Sequence, residues 1–161
     1  GQTEKLLDEL QFQVFQCSQH DLVYVKKLKE QTSTSRWPEL RERLLAGKTL
    51  PGDLREAFLA QEGLYARLMD RVAALESLQT LDRWEDVLRP QFPERMRDAY
   101  IQCLDARMRL ASDRKQYAAA ISYLKKLRTY PGGKDAALAR RWRTAYPRRR
   151  SMLDELGKAG Y

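Results

Sequence analysis

Basic side chains interleaved with aromatic rings are the residues of this chain whose chemistry would suit an anion. Tyr130, Trp142 and Tyr146 supply the rings. Lys and Arg neutralise phosphates, and aromatic rings stack on bases. On one shared face the set would bind an anion or a nucleic acid. The alternatives are a charged rim around a protein-binding surface, or a solvated helix face. The candidates are Lys125, Lys126, Arg128, Arg140, Arg141, Arg143, Arg148, Arg149 and Arg150.

The net charge of +8 is unevenly distributed along the 161 residues. Residues 1–80 carry 11 Lys and Arg against 12 Asp and Glu, whereas residues 81–161 carry 19 against 10. Such asymmetry is typical of chains that meet an anionic partner. We therefore expect any anionic ligand to bind the second half.

The lone histidine, His20, stands beside Asp21 and could form half of an acid–base pair. No Ser or Cys nucleophile motif accompanies it, so a surface or capping role is favoured. Together with His20, Cys17 and Cys103 supply too few ligands for a zinc site. Two cysteines so far apart are expected to be reduced residues of the core.

Pairs of nearby carboxylates could hold a metal, but Arg residues surround them, which is typical of solvated helix faces. A di-metal site in a helical bundle needs Glu-x-x-His, which is absent here. No phosphate-binding glycine loop or nucleophile elbow is present either. The sequence thus predicts no catalytic residue, no bound metal and no cofactor. The pairs are Glu39/Glu42, Glu85/Asp86 and Asp154/Glu155.

Apolar residues recur at three- to four-residue steps throughout, which predicts an all-α fold of seven or eight helices joined by short loops. Short loops favour antiparallel neighbours. We expect the first helical element to cover residues 3–30, Gly63 to lie inside a helix, and Pro93 to start one. Asp113 should cap a helix, and Pro147 should kink or divide the last one. No apolar run approaches the roughly 20 residues that span a bilayer.

A tryptophan preceded by arginine occurs three times, at Trp37, Trp84 and Trp142. Recurrence every few tens of residues indicates stacked helical hairpins, as in a tetratricopeptide- or HEAT-like α-solenoid. We expect all three rings to be buried between helices, with the ring N–H on a main-chain oxygen. The alternative is that they are stacking platforms for bases.

Residues 117–124 look like the second helix of a tetratricopeptide repeat, although the fixed repeat period is absent. A closer resemblance covers about residues 33–158. This region is similar to the C-terminal helical region of bacterial SWIM zinc-finger proteins, where helical repeats follow a small Cys/His zinc module. The zinc motif is absent here. The resemblance therefore assigns the family's zinc chemistry and nucleic-acid role to no residue of this chain. The resemblance is carried by Arg83-Trp84, Tyr100, Tyr117-Ala118-Ala119-Ala120, Tyr123-Leu124, Trp142 and residues 146–156.

The chain begins Gly1-Gln2 without Met, so we expect residues 1–161 to be one helical-repeat domain cut from a longer protein. The predicted function is a non-catalytic protein-interaction or scaffold module that holds a protein segment on its concave surface. The alternative is a nucleic-acid-binding module that uses the basic second half. We expect a cytoplasmic setting and no membrane partner.

Overall fold

Helices form all the regular secondary structure in the part of the chain that the computed structural model describes: Lys5, residues 22–46, Leu50 and residues 52–161. The predicted all-α fold is confirmed for these ranges. Cys17, His20, Asp21 and most of the predicted first element lie outside the described residues. The helices are α1 (Leu22–Gln31), α2 (Trp37–Ala46), α3 (Gly52–Gln61), α4 (Tyr65–Leu75), α5 (Leu78–Leu88), α6 (Pro93–Leu110), α7 (Arg114–Ser122), α8 (Leu124–Arg128), α9 (Lys134–Ala145) and α10 (Arg150–Lys158).

The described residues contain more helical segments than the sequence predicts, because predicted elements are divided, one of them at the proline where a kink or a division is expected. Only Tyr123 separates α7 from α8, and residues 146–149 separate α9 from α10. The second division contains Pro147, as predicted, because a proline disfavours the helical conformation of the residue before it.

Gly63 ends a helix, and the prediction that it lies inside one is wrong. Its φ of +69° is left-handed. The Leu64 N–H donates to the Leu59 carbonyl over 2.9 Å, and the Gly63 N–H donates to the Ala60 carbonyl over 3.1 Å. These two bonds form a Schellman cap, which satisfies carbonyls that the end of α3 leaves unpaired. The spacing of apolar residues continues from α3 into α4 without interruption. The sequence therefore predicts one helix where the structure has two.

Two predicted helix starts are confirmed. Pro93 is the first residue of α6, where its missing N–H costs no hydrogen bond. The Asp113 carboxylate caps α7 by accepting from the Gln116 N–H over 2.8 Å.

The chain divides into two compact units, Gly1–Leu68 and Met69–Tyr161. In the first unit the described core is formed by apolar faces of α1, α2 and α3. Trp37 meets Phe58 edge-to-face, with ring centroids 6.3 Å apart at 89°. Its other buried members include Val25, Leu28, Leu40, Leu44 and Leu59.

In the second unit, α5 packs on α6, α6 on α7, α7 on α10, and α8 on α9. Arg114 of α7 bridges to Asp154 and Glu155 of α10, over 2.5 Å and 2.7 Å. α7 packs on α10 although α8 and α9 lie between them in sequence, whereas in a solenoid the helices pack mainly on their sequence neighbours. The solenoid arrangement therefore stays a prediction. The fully buried side chains include Met96, Tyr100, Leu104, Met108, Leu124, Leu127, Met152 and Leu156.

The three tryptophans differ in burial. Trp37 and Trp142 are buried, at 6% and 1% exposure, as predicted. Trp84 is partly exposed, so its predicted burial is wrong in degree. Both buried rings donate their N–H to a carboxylate and not to a main-chain oxygen: Trp37 to Glu62, and Trp142 to Asp105 over 2.9 Å.

Candidate functional site

The nine basic candidates of the second half do not form one free cationic face, because five of them hold intramolecular contacts. Lys126 pairs with Asp82 over 2.8 Å, and Arg128 pairs with Asp135 over 3.2 Å. The other three are Arg141, which pairs with Asp105, and Arg143 and Arg149, which donate to main-chain oxygens.

Arg149 has a structural position at the end of α6. Its guanidinium donates to the carbonyls of Met108 over 2.6 Å and Arg109 over 3.2 Å. It also lies 3.8 Å from the ring centroid of Tyr146. This side chain satisfies carbonyls that the last turn of a helix leaves unpaired.

The remaining candidates, Lys125, Arg140, Arg148 and Arg150, are exposed. None of them forms an ion pair with a described residue. They lie on α8, on α9, in the α9–α10 connection and at the first position of α10. Within α9, successive arginines are turned by about 100° around the axis, so adjacent residues face different directions. Four of the nine candidates are thus exposed cations without an ion pair in the described part of the chain.

A cluster that the sequence analysis missed joins α5, α6 and α8. We call it the Asp82 cluster; its members are Asp82, Glu85, Tyr100, Tyr123 and Lys126. The Asp82 carboxylate accepts from the Tyr100 and Tyr123 hydroxyls, each over 2.7 Å, and from the Lys126 ammonium over 2.8 Å. Glu85 lies 3.5 Å from the same ammonium.

Glu85 extends this network, because it also accepts from the hydroxyl of the buried Tyr130 over 3.0 Å. Above that ring lies the guanidinium of Arg89, 4.0 Å from its centroid. The sequence held one signal for the Asp82 cluster. Asp82 and Glu85 are three residues apart on α5, and Tyr123, just before α8, is three residues from Lys126 within it. Residues at this spacing lie on one helix face, so the two carboxylates share one face and the hydroxyl and the ammonium share another.

The electrostatics of the Asp82 cluster keep Asp82 ionised, Tyr123 neutral and Lys126 protonated at neutral pH. Burial raises the pKa of Asp82, but hydrogen bonds from Lys126, Tyr100 and Tyr123 outweigh burial and leave the pKa lowered. Burial and the bond to Asp82 raise the pKa of Tyr123 to about 12. The pKa of Lys126 is also raised, because its carboxylate partners outweigh burial. General acid–base groups work best with a pKa near the operating pH. These pKa shifts move each group away from neutral pH, which favours a structural role for the cluster over acid–base catalysis.

An open apolar groove lies between the end of α6 and α7. We call it the α6–α7 groove. It has a volume of about 270 Å³, just below the roughly 300–1,000 Å³ of small-molecule pockets. Leu110 on its wall is 78% exposed, an unusual position for a large apolar side chain. The lining residues are Leu78, Arg107, Leu110, Ala111, Gln116, Ala119, Ala120 and Tyr123.

The groove has a cation at its edge. Arg107 is exposed, and no described carboxylate forms an ion pair with it. Arg114, near the start of α7, is by contrast held by two carboxylates of α10. Cys103, one helical turn before Arg107, is 1% exposed and donates its thiol to the Glu76 carbonyl over 3.2 Å. Burial raises the pKa of this thiol. Its predicted place in the core is confirmed.

Sequence reasoning missed the groove as well. Cys103 and Leu110 are seven residues apart on one face of α6. That spacing predicts that the two side chains share one face of α6. It does not predict which part of that face other helices cover.

Within the described residues, no three His, Cys, Asp or Glu side chains are grouped so as to hold a metal ion. Nor does any helix in those ranges have the length and apolar character needed to cross a bilayer. The chain matches no protein-family model, no curated protein and no solved structure in the comparisons made.

Proposed function

We propose that the chain is a non-catalytic protein-interaction module whose second unit holds a segment of another protein in the α6–α7 groove. The supporting observation is Leu110, which is 78% exposed beside a floor of alanines. Apolar surface rimmed by polar groups favours association, because burying it removes it from water.

Site-specific photocrosslinking tests this proposal. A photoreactive residue at Ala119 would lie in the groove, and the same residue at Ala137 would lie on the exposed side of α9. In a lysate of the source organism, we expect a discrete crosslinked protein from position 119 that is absent from position 137. Leu110→Ser should abolish that product. No product from position 119, or the same product from both positions, would contradict the proposal.

The four exposed cations support a second candidate function, nucleic-acid binding. Because Arg149 holds the end of α6, its replacement would confound folding with binding. The better variant is the double change Arg148→Ala and Arg150→Ala. Its control is Arg83→Ala with Lys115→Ala, which removes the same charge from other exposed sites.

Single-stranded and duplex oligonucleotides should be titrated at about 50 mM and 200 mM salt, because phosphate contacts weaken steeply as salt displaces counterions. Salt-sensitive binding that the first double variant loses and the control keeps would favour this function. Absence of binding at about 50 mM salt would exclude it, since electrostatic affinity is greatest there.

The kinship with the helical region of SWIM zinc-finger proteins belongs to the same proposal. The finding of a Cys-x-Cys and Cys-x-His module in sequence that precedes residue 1 would support it. A cytoplasmic setting is proposed as well, and the buried free thiol of Cys103 is compatible with it.

A further inference from the structure

We propose that the occupant of the α6–α7 groove is an amphipathic helix of a partner protein, with an acidic flank that meets Arg107. This inference rests on the proposed function and specifies the partner. Three features of the second unit carry it: an apolar stripe, the shape of the floor, and the charge at the edge.

The face of α6 that carries Cys103 continues past Arg107 to Leu110, beyond the helices that cover it. Cys103 and Leu110 are two turns apart on one face, yet their exposures are 1% and 78%. Ala111, next to Leu110, is buried at 7%. An apolar stripe at helical spacing is the surface that a second helix covers. The last turn of α6 therefore has the pattern of a helix–helix interface without a covering helix.

The floor of the groove suits a helix. Ala119 and Ala120 of α7 contribute only methyl groups to its lining, while Leu78, Leu110 and Tyr123 contribute larger side chains. Small residues let a second backbone approach closely, and the open side leaves room for its apolar side chains. Helices bind such grooves through residues spaced at i, i+3 or i+4, and i+7.

The charge at the edge selects an acidic helix. Arg107 has no carboxylate partner among the described residues. The second unit carries 20 Lys and Arg against 12 Asp and Glu, and the first unit carries 10 against 10. Complementary charge speeds encounter and rejects partners of the wrong sign. A second copy of this unit would bring like charge, and a phosphate backbone would not need the apolar floor.

Selection from a displayed library of helix-forming peptides tests the partner class. We expect the enriched peptides to carry apolar residues at helical spacing and a net negative charge. One enriched peptide, labelled with a fluorophore, should then be titrated against the whole chain. We expect Leu110→Ser and Arg107→Glu each to weaken binding about tenfold or more, since they remove an apolar anchor and reverse the complementary charge.

The matched control is Arg140→Glu, an equal charge reversal at an exposed site on α9, which should leave the affinity nearly unchanged. Circular dichroism should show that all three variants keep the helical fold. Enrichment of basic or neutral peptides would overturn the acidic class. So would equal effects of Arg107→Glu and Arg140→Glu, or displacement of the peptide by an oligonucleotide at moderate salt.

The two proposals fail separately. If no peptide is enriched while position 119 still crosslinks a protein, the acidic helix is wrong and the interaction module stands. If both experiments fail, both proposals are wrong.

Discussion

Both buried tryptophans donate their ring N–H to a carboxylate that also binds a cationic side chain. The Trp37 N–H and the Lys29 ammonium share the Glu62 carboxylate, with Lys29 at 2.6 Å. The Trp142 N–H shares the Asp105 carboxylate with Arg141. In each case one carboxylate satisfies the ring N–H and neutralises a cation. A buried ring N–H needs an acceptor, and a charged acceptor bonds more strongly than a neutral one.

Sequence reasoning predicted the burial of Trp37 and Trp142 from apolar spacing, but it missed these acceptors. Glu62 is 25 residues from Trp37, and Asp105 is 37 residues from Trp142. Periodicity reports which face of a helix is covered. It does not report which distant side chain lies against that face.

The difference in burial among the tryptophans predicts a difference in stability. Trp142→Ala should cost about 3–5 kcal/mol, as for other buried aromatic residues. Trp84→Ala should cost no more than about 2 kcal/mol, because its ring is already partly solvated. Urea titration followed by circular dichroism measures both. Equal losses would contradict the burial that separates the two rings.

At the scale of the elements, the structure depends on how helices end. Gly160 repeats the cap of Gly63: its φ is +93°, and the Tyr161 N–H donates to the Leu156 carbonyl over 2.8 Å. Glu76, between α4 and α5, also has a positive φ, +48°, without being glycine. A side chain in that conformation costs free energy that glycine avoids.

Opposite substitutions at these left-handed positions should therefore have opposite signs. Gly63→Ala should destabilise by about 1 kcal/mol through its backbone conformation alone, because no atom lies within 4 Å of the added methyl. Glu76→Gly should stabilise by up to about 1 kcal/mol, reduced by loss of the exposed bond from Gln102. Thermal unfolding checks both, and a change of the same sign in the two variants would contradict the argument.

Adjacent arginines offer a second test of a helix end. Arg149→Lys should destabilise by about 1–2 kcal/mol, because lysine cannot reproduce the fork that binds two carbonyls of α6. Arg148→Lys, a control at the exposed neighbour, should change stability by less than about 0.5 kcal/mol. The free energy of unfolding from urea titration distinguishes them. Comparable effects would show that the bonds of Arg149 add nothing.

Pattern reasoning predicted the ends at Pro93, Asp113 and Pro147, since proline and a capping carboxylate have local causes. The prediction failed at Gly63. Its capping bonds need a left-handed backbone conformation, which the apolar spacing of the sequence does not indicate. The basic candidates show the same limit. The sequence supplied nine cations, and the fold gives five of them carboxylate or carbonyl partners, most of them distant in sequence.

At the scale of the whole molecule, lowered carboxyl pKa values link stability to pH. Burial raises the pKa of Asp135, but bonds from Tyr161 and Arg128 outweigh burial and lower it, as happens at Asp82. A carboxyl whose folded pKa is depressed stabilises above its unfolded value, here near 3.8, and that stability is lost as pH falls through the folded pKa.

The raised pKa of Tyr123 acts in the opposite direction. Its stabilisation is complete below the unfolded value of 10.0 and is lost as pH rises toward the folded value of about 12. We therefore expect a broad plateau of stability with an acid fall below about pH 4 and an alkaline fall above about pH 10.

Urea titrations from pH 2 to pH 12 would measure this profile. Asp82→Asn should flatten the acid fall, because the titrating carboxylate is gone. Asp86→Asn, at an exposed site on the same helix, should leave it unchanged. An acid fall of the same depth in both variants would contradict the role of the Asp82 cluster.

The buried tryptophans also allow the unfolding of each unit to be followed by its own fluorescence. Trp37 lies in the first unit and Trp142 in the second, both shielded from water. Variants that lack Trp84 and keep only one of these two rings would emit from a single unit, and the emission would shift to the red when that unit opens. Coincident transitions would mean that the chain melts as one cooperative body, and separate transitions would mean two. The placement of two indoles thus turns intrinsic fluorescence into a test of cooperativity within one polypeptide.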